Sequence, residues 1–106
     1  MEPLNLAILQ EYLGMKYKDC RSSTDLFMKL VEEVGEVAEV LNQMDGRKSD
    51  SGSSSLEKEL ADVIHYTVAI ASINNIDSSK VIVEKDKIAA IKYKQSPNLV
   101  EFLKKQ

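Results

Sequence analysis

The sequence predicts an all-α protein, an antiparallel bundle of four main helices followed by a short C-terminal helix. Apolar residues recur at intervals of three and four along most of the chain, which is the spacing of one helix face. The breaks between these stretches are short and rich in Ser, Asn, Asp and Pro, residues that begin helices or form turns. The run Val81-Ile82-Val83 could form a strand, but nothing else in the chain offers it a partner strand, so a helix is predicted there.

A polar break separates the first two predicted helices. The first is predicted over 3–18, because Pro3 is tolerated in a first helical turn. The second is predicted to run to about Met44, and its candidate N-caps are Ser22, Ser23 and Thr24. Gly35 inside this helix destabilises it by ~1 kcal/mol relative to Ala. A glycine at such a position indicates either close packing of a neighbouring helix or room for a ligand.

The third helix is predicted over 55–74. A Gly- and Ser-rich segment, 45–55, precedes it and lets it fold back antiparallel on the second helix. The C-terminal half of the third helix is apolar nearly all round, which indicates burial on more than one side. In a chain of 106 residues, such burial favours oligomerisation.

Two further helices complete the predicted bundle. Helix four is predicted to begin near Asp77 or Ser78 and to reach about Lys94. Ser96-Pro97 is predicted to cap a short last helix, whose apolar residues would pack on the bundle or on a second subunit. The whole chain, 1–106, is predicted to be one helical domain, because its length supports a single modest core.

Helices two and three each carry two carboxylates three residues apart beside an apolar stripe. In helix two, Glu33 lies on the border of the stripe and Glu36 lies further out. In helix three, Glu59 takes the border place and Asp62 the outer one. The predicted stripes are Leu30, Val34, Val37, Leu41 and Met44 in helix two, and Leu56, Leu60, Val63, Thr67 and Ile70 in helix three. If these stripes pack together, the four carboxylates converge beside the interface.

Such a cluster of carboxylates predicts a metal site. Like charges that are close together and partly shielded from water repel one another and raise one another's pKa. The positive charge of Mg²⁺ offsets this repulsion. Mg²⁺ takes oxygen ligands and usually binds carboxylates together with substrate phosphates. Mn²⁺ is the alternative ion. Acidic runs on helices are also typical of a solvated face, but the same register on two consecutive helices favours the metal site.

The composition argues against several other classes of protein. The net charge of −3 gives no electrostatic footprint for nucleic acid or an anionic membrane. No apolar run approaches the ~20 residues of a membrane span. The lone Cys20 fits a reduced, cytoplasmic setting. The one histidine, His65, argues against a structural zinc site and is predicted at the surface or at an interface.

Cations that could receive phosphate oxygens lie on two of the predicted helices. Lys85 and Lys92 share a face of helix four, and Tyr93 is adjacent to them. A solvated lysine face is the alternative interpretation of this spacing. Lys29 lies four residues before Glu33 and either forms an ion pair with it or contacts a phosphate.

The pattern Glu32-Glu33-x-x-Glu36, a spacer, then Glu59-x-x-Asp62 and an apolar helix resembles the EExxE…ExxD signature of MazG-type all-α nucleoside triphosphate pyrophosphohydrolases. The resemblance covers most of the chain. It implies an all-helical homodimer or homotetramer with Mg²⁺ held by Glu33, Glu36, Glu59 and Asp62. Catalysis would rest on Glu32, Glu33 and Glu36, with Glu32 binding the ion through water or orienting the attacking water. Members of this family cleave nucleoside triphosphates between the α and β phosphates, giving a monophosphate and pyrophosphate.

The chain departs from this family on its last long helix. There the family usually carries a Lys, an Asn four residues on, and then a Lys or Arg followed by a Tyr. Lys85, Lys92 and Tyr93 match that pattern. Ala89, however, occupies the Asn place, and Ile88 occupies a frequent Lys place. The loss of these polar groups would weaken triphosphate binding in the usual pose.

We therefore predict a cytoplasmic, Mg²⁺-dependent pyrophosphohydrolase that clears modified or excess (deoxy)nucleoside triphosphates. The alternative is a catalytically weak helical module that keeps the acidic cluster for metal or nucleotide binding or for oligomerisation, and Ala89 favours it. A third interpretation is a plain helical scaffold without metal. In that case Mg²⁺ or Mn²⁺ would leave the melting temperature unchanged.

Overall fold

The computed structural model describes residues 1–19, 22–46 and 55–106. These parts of the chain form five α-helices and no strand, which confirms the predicted all-α class. The helices are α1 (Leu6–Lys16), α2 (Ser23–Met44), α3 (Leu56–Ile73), α4 (Ser78–Lys92) and α5 (Leu99–Lys104). Cys20 and most of the predicted connection over 45–55 lie outside the described residues.

Each helix begins at a polar side chain that accepts a hydrogen bond from a backbone N–H of the first turn. Such a cap contributes roughly 1 kcal/mol, because it satisfies an N–H that the helix itself leaves unpaired. The caps are Asn5, Ser22, Ser55, Asp77 and Asn98. Ser22 and Asp77 were among the predicted caps, so the predicted starts of α2 and α4 are confirmed.

Two helices are shorter than the sequence predicts. α1 begins after Asn5 and not at Pro3, because the Asn5 side chain accepts a hydrogen bond from the Ile8 N–H at 2.9 Å and caps the helix there. α4 ends at Lys92. Two residues later Lys94 has a φ of +53°, the left-handed conformation that commonly terminates a helix.

The short helix α5 packs against α4. Asn98 caps it, and Glu101 completes a capping box by accepting a hydrogen bond from the Asn98 N–H at 3.2 Å. The Leu99 N–H donates to the Asp86 carboxylate of α4 at 2.6 Å, which fixes the start of α5 on its neighbour. The prediction that Ser96-Pro97 caps this helix is wrong, because it is the Asn98 side chain that reaches the first-turn N–H.

α2 and α3 pack against each other as an antiparallel helical hairpin. Their direction is set where the Asn74 side chain, at the end of α3, donates to the Ser23 hydroxyl at the start of α2 at 2.8 Å. α1 packs against α3, and α4 packs against α1 and α5. α1 therefore lies between α4 and the α2–α3 hairpin.

The core lies where α1, α2 and α3 meet. Its buried residues are Leu13, Leu26, Val68 and Ala69. The C-terminal half of α3 is covered by α1 on one side and by α2 on another. Its nearly all-round apolar composition is therefore accounted for within one chain. Oligomerisation stays a prediction, but the apolar composition of this half of α3 no longer supports it.

Polar contacts join α1 to α3 and to the start of α4. The Ser72 hydroxyl of α3 lies 2.8 Å from the Gln10 carbonyl oxygen. The Gln10 side chain donates to the Ile76 carbonyl and accepts a hydrogen bond from the Ser78 N–H at 3.2 Å. These bonds satisfy polar groups of three elements at one junction and hold α1 across the hairpin.

The predicted apolar stripes coincide only in part with the packing faces. In α2, Val34, Leu41 and Met44 are exposed, and in α3, Leu60 and Thr67 are exposed. The side of α2 that meets α3 carries Leu26, Leu30, Glu33, Val37 and Val40. The apolar arc of α2 spans about 180° of its circumference, so one neighbouring helix covers only half of it. A helical wheel alone does not determine which half that is.

Candidate metal centre

Three of the predicted metal ligands meet on the α2–α3 hairpin. One carboxylate oxygen from each of Glu33, Glu59 and Asp62 lies within 4.8 Å of the other two. Glu33 is half-buried, Glu59 is only 8% exposed, and Asp62 is open to solvent. The group therefore runs from the interface between the helices outward to water.

The helical period explains why these side chains meet. Glu33 lies on the side of α2 that faces α3, one turn from Val37. Glu59 lies on the side of α3 that faces α2, and Asp62, three residues on, stands one turn above it. Of the two residues predicted at the border of the stripes, Glu59 is buried in the helix–helix interface and Glu33 is half-buried at it.

Glu59 is the electrostatic centre of the group. A hydrogen bond to Glu33, then burial, and then the charges of Glu36, Glu33 and Asp62 raise the pKa of Glu59 to about 7. A hydrogen bond between two carboxyl groups needs one shared proton, because two carboxylates both only accept. The other oxygen of Glu59, Oε2, is buried and has no hydrogen-bond partner.

Glu36 and Glu32 lie outside this tight group. Glu36 is exposed, although its charge still contributes to the raised pKa of Glu59. Glu32 is exposed and pairs with Lys29 at 3.6 Å. The predicted ion pair between Lys29 and Glu33 is therefore wrong, since Lys29 reaches the residue three positions on and not four. An exposed pair of this kind contributes little to stability.

The three grouped carboxyls suit a hard divalent cation. Ligand oxygens about 2.1 Å from an octahedral Mg²⁺ lie about 3–4 Å from one another, so small side-chain shifts bring this group into range. Glu59 Oε2 is a buried oxygen without a partner, and an ion would satisfy it. In the part of the chain that the structure describes, no Lys or Arg pairs with Glu33, Glu59 or Asp62. Carboxylate oxygens favour Mg²⁺ or Mn²⁺ over softer ions.

The residues predicted to bind phosphates on helix four do not join this group within one chain. Lys85 and Lys92 lie on α4, which packs against α1 and α5 and makes no extensive contact with α2 or α3. Lys92 Nζ lies 5.3 Å from the centre of the Tyr93 ring. Ala89 also lies on α4, half-buried. A phosphate-binding role for Lys85, Lys92 and Tyr93 stays a prediction.

Sequence reasoning missed a contact one turn from Asp62. His65 is half-buried, and its Nε2 lies 2.7 Å from the Tyr17 hydroxyl at the end of α1. The His65 ring also contacts the Tyr66 ring edge to face, with 4.8 Å between the ring centres. No spacing signal could reveal the Tyr17 contact, because the two residues are 48 positions apart. His65 does not belong to the carboxylate group, as predicted from its position on the helix.

A cavity of about 480 Å³ lies apart from the carboxylates, between α1 and the turn that joins α3 to α4. Its walls include Gln10, Glu11, Ser72, Asn75 and Asp77. None of the grouped acids lines it. This cavity is therefore separate from the carboxylate group of α2 and α3.

Comparison with known proteins agrees with the acidic pattern. Residues 21–91 match the family model of the MazG nucleotide pyrophosphohydrolase domain, and this range includes α2, α3 and nearly all of α4. No curated protein and no solved structure matches the chain. None of the helices described is long and apolar enough to cross a membrane.

Proposed function

Since the chain belongs to the MazG nucleotide pyrophosphohydrolase domain family, we propose that it hydrolyses (deoxy)nucleoside triphosphates with the help of a divalent cation, Mg²⁺ or Mn²⁺. One water is consumed, the bond between the α and β phosphates breaks, and the products are a nucleoside monophosphate and pyrophosphate. We propose modified or excess nucleotides as the substrates and the cytoplasm as the location. The assembly is a homodimer or a homotetramer.

The observation that carries this proposal is the carboxylate group of Glu33, Glu59 and Asp62. Three carboxyl oxygens within 4.8 Å of one another are costly to the folded chain alone, and so is the buried Glu59 Oε2, which has no hydrogen-bond partner. Such an arrangement is expected where a cation takes up the negative charge. It agrees with the family match, which covers both helices that contribute to the group.

The acidic residues of α2 and α3 would have different roles in this reaction. Glu33, Glu59 and Asp62 would hold the ion, and Glu36 would complete the set from the exposed side of α2. When bound, the ion supplies neutralisation of charge on the phosphates and acidification of water. Glu32, exposed beside Glu36, would orient the attacking water. No nucleophilic side chain is needed for this reaction.

The test is pyrophosphate release from a panel of standard and modified nucleoside triphosphates in the presence of Mg²⁺. The variant Glu59→Gln removes one charged ligand while keeping the side-chain shape, so we expect release to fall by at least about 100-fold. Glu57→Gln is the matched control, because Glu57 lies two residues earlier on the same helix, is exposed and does not belong to the group.

Two results of this comparison would contradict the proposed function. The proposal fails if the wild-type chain releases no pyrophosphate from any nucleotide, or if Glu59→Gln releases it as fast as Glu57→Gln does. A loss in both variants would point to damage of the α3 start and not to the site. Circular dichroism measures the helix content of the two variants and so distinguishes damage to α3 from loss of the site.

The second candidate function is a catalytically weak module that binds metal or nucleotide. Ala89 at the family's Asn place favours it, and so does the position of α4, which keeps Lys85 and Lys92 away from the carboxylates of the same chain. This candidate expects a melting temperature that rises with Mn²⁺ and no turnover on any nucleotide.

A further inference from the structure

A cavity of about 480 Å³ lies outside the carboxylate group that supports the proposed activity. One wall of this cavity is a side of α1, and the other wall is the end of α3 together with the turn that leads into α4. Small-molecule sites in proteins commonly have volumes of about 300–1,000 Å³. The cavity is therefore large enough for a small organic ligand and too large for a single metal ion to fill.

The spacing of small residues along α1 keeps this space open. Ala7, Gln10, Glu11 and Gly14 all line the cavity. They recur at intervals of three and four, so they lie on one side of the helix. The two ends of this side are Ala7 and Gly14, which have a methyl group and no side chain. A Cβ built on Gly14 would lie 3.8 Å from the Ser72 Cβ, so α1 and α3 approach each other closely at that end.

The opposite wall is a turn whose backbone is held by hydrogen bonds. Asn75 has a φ of +57°, and the Ile76 N–H donates to the Ala71 carbonyl oxygen at 3.0 Å, which closes the end of α3 as a Schellman motif. The Gln10 side chain reaches from α1 to this turn. It donates to the Ile76 carbonyl oxygen and accepts a hydrogen bond from the Ser78 N–H at 3.2 Å. Both walls therefore consist of backbone that the fold holds in place.

The cavity is lined by two carboxylates and by no Lys or Arg. Glu11 belongs to the α1 wall, and Asp77 belongs to the wall formed by the turn. Asp77 caps α4 through one carboxylate oxygen, which accepts a hydrogen bond from the Lys80 N–H at 3.1 Å. Within the described residues, neither Glu11 nor Asp77 forms an ion pair. The lining therefore carries two negative charges that no side chain of the described chain neutralises.

The hydrogen-bonding capacity that remains in the lining consists mainly of acceptors. The Ser72 hydroxyl lies 2.8 Å from the Gln10 carbonyl oxygen and 2.9 Å from that of Val68, so its proton is already engaged. The Gln10 amide is engaged with the turn. The carboxylates of Glu11 and Asp77 can only accept hydrogen bonds. A ligand that donates hydrogen bonds and carries positive charge complements this lining.

The cavity also has apolar surface. Ala7 contributes a methyl group, and Ile76 contributes an aliphatic side chain that is 44% exposed. Methylene groups fit such a surface, whereas Mg²⁺ requires a nearly octahedral shell of oxygens. Because Glu11 and Asp77 stand in different walls, the cavity suits a ligand with two positive ends and an aliphatic middle.

We propose that this cavity binds an aliphatic diamine, a molecule with two ammonium groups joined by a short methylene chain. One ammonium group pairs with Glu11 and the other with Asp77, and the methylene chain lies against Ala7 and Ile76. The ligand ties α1 to the start of α4 and so stabilises the folded chain. The proposal goes beyond the pyrophosphohydrolase activity and does not depend on it.

The test is isothermal titration calorimetry of the metal-free protein at low salt with 1,4-diaminobutane and with butylamine. The two probes have the same four carbons, but butylamine has only one ammonium group. We expect the diamine to bind at least about fivefold more tightly, because it forms a second ion pair. Equal affinities for the two amines would overturn the proposal, and would instead fit the single ammonium group of a lysine side chain from a protein partner.

Two variants each remove one carboxylate of the lining with little risk to the fold. Glu11→Gln changes an exposed side chain to its amide, and Asp77→Asn keeps a residue that caps helices as well as Asp does. Each should abolish most of the preference for the diamine over butylamine. Glu84→Gln is the matched control, because it removes one negative charge from an exposed position of α4 outside the cavity. A preference that is unchanged in Glu11→Gln or in Asp77→Asn overturns the proposal.

A second pair of variants tests the cavity itself, apart from its charge. Ala7→Leu fills part of the space and keeps both carboxylates, whereas Ala38→Leu makes the same substitution at an exposed position of α2 outside the cavity. We expect the affinity for the diamine to fall at least about fivefold in Ala7→Leu and to stay at the wild-type value in Ala38→Leu. An unchanged affinity in Ala7→Leu would show that the diamine binds to surface charge, and it would overturn the proposal.

The carboxylate group of α2 and α3 is a second place to which a diamine can be attracted. Glu59→Gln reduces the charge of that group and should leave the affinity for the diamine at the wild-type value. A fall in affinity in Glu59→Gln that Glu11→Gln does not share would place the diamine at the carboxylate group and overturn the proposal. Absence of pyrophosphate release in a wild-type chain that binds the diamine counts against the proposed activity and leaves this inference standing.

Discussion

Glu59 is the residue whose protonation the fold changes most directly. Its pKa is raised from the ordinary value of 4.5 to about 7, first through the hydrogen bond with Glu33. Between these two pH values the folded chain keeps a proton at Glu59 that the unfolded chain has released. Protonated Glu59 therefore contributes to the free energy of unfolding, and this contribution is lost as the pH rises through about 7.

We expect the free energy of unfolding of the metal-free protein to fall as the pH rises from about 4.5 to about 7 and then to level off. Urea unfolding in the presence of a chelator, at several pH values, measures this. Glu59→Gln should flatten that part of the profile, since an amide does not titrate, whereas Glu57→Gln should leave it as in the wild type. A wild-type profile that rises over the same interval would contradict the shared proton.

The sequence was sufficient to predict that Glu33, Glu59 and Asp62 lie close together, because the helical period determines which side of each helix they occupy. It was not sufficient for residues brought together by the packing of separate helices. Tyr17 and His65 meet only because α1 crosses α3. Lys29 forms its ion pair with Glu32 and not with Glu33, because Glu33 lies at the interface with α3.

At the scale of elements, the attachment of α1 to α3 is open to a direct test. Tyr17→Phe removes the hydroxyl that lies 2.7 Å from His65 Nε2, and a hydrogen bond of this kind contributes about 0.5–1.5 kcal/mol. We expect the free energy of unfolding to fall by about that amount. Tyr12→Phe, on the same helix but exposed, should change it by less than about 0.5 kcal/mol. Equal effects of the two substitutions would show that this bond does not stabilise the fold.

The order and approximate extent of the helices were predictable because local chemistry determines them. Ser22 and Asp77 cap their helices through side-chain oxygens that reach N–H groups two or three residues away. The packing faces were less predictable, since α2 has an apolar arc wide enough for two neighbours. Val34 and Leu41 belong to that arc and yet do not meet α3.

At the scale of the whole molecule, the carboxylate group links α2 to α3, so an ion bound there stabilises the fold as a unit. At a hundredfold excess over its Kd, a bound ion adds about 2.7 kcal/mol to the free energy of unfolding. We expect Mg²⁺ or Mn²⁺ to raise the melting temperature of the wild type and of Glu57→Gln, and to leave that of Glu59→Gln nearly unchanged. A wild-type melting temperature that does not respond to either ion would favour the plain scaffold.

The assembly of the molecule could be predicted only in outline. The apolar C-terminal half of α3 favoured oligomerisation, but α1 and α2 cover that half in one chain. Which sides of the α2–α3 hairpin are covered within one chain depends on where α1 packs. The position of α1 depends in turn on contacts such as that between Ser72 and Gln10, which no local pattern encodes.

The junction at Gln10 also has a consequence for the order of folding. α1 is joined to the rest of the chain by bonds between residues 48 to 68 positions apart, whereas α2 and α3 are neighbours in sequence. Contacts between distant positions form late, because the long intervening loop must first close. At a fixed protein concentration, Leu13→Ala should lower the free energy of unfolding by about 2–5 kcal/mol, because Leu13 is fully buried. The substitution should speed unfolding and leave the folding rate close to that of the wild type. Stopped-flow kinetics would show whether α1 docks on the α2–α3 hairpin only after that hairpin has formed.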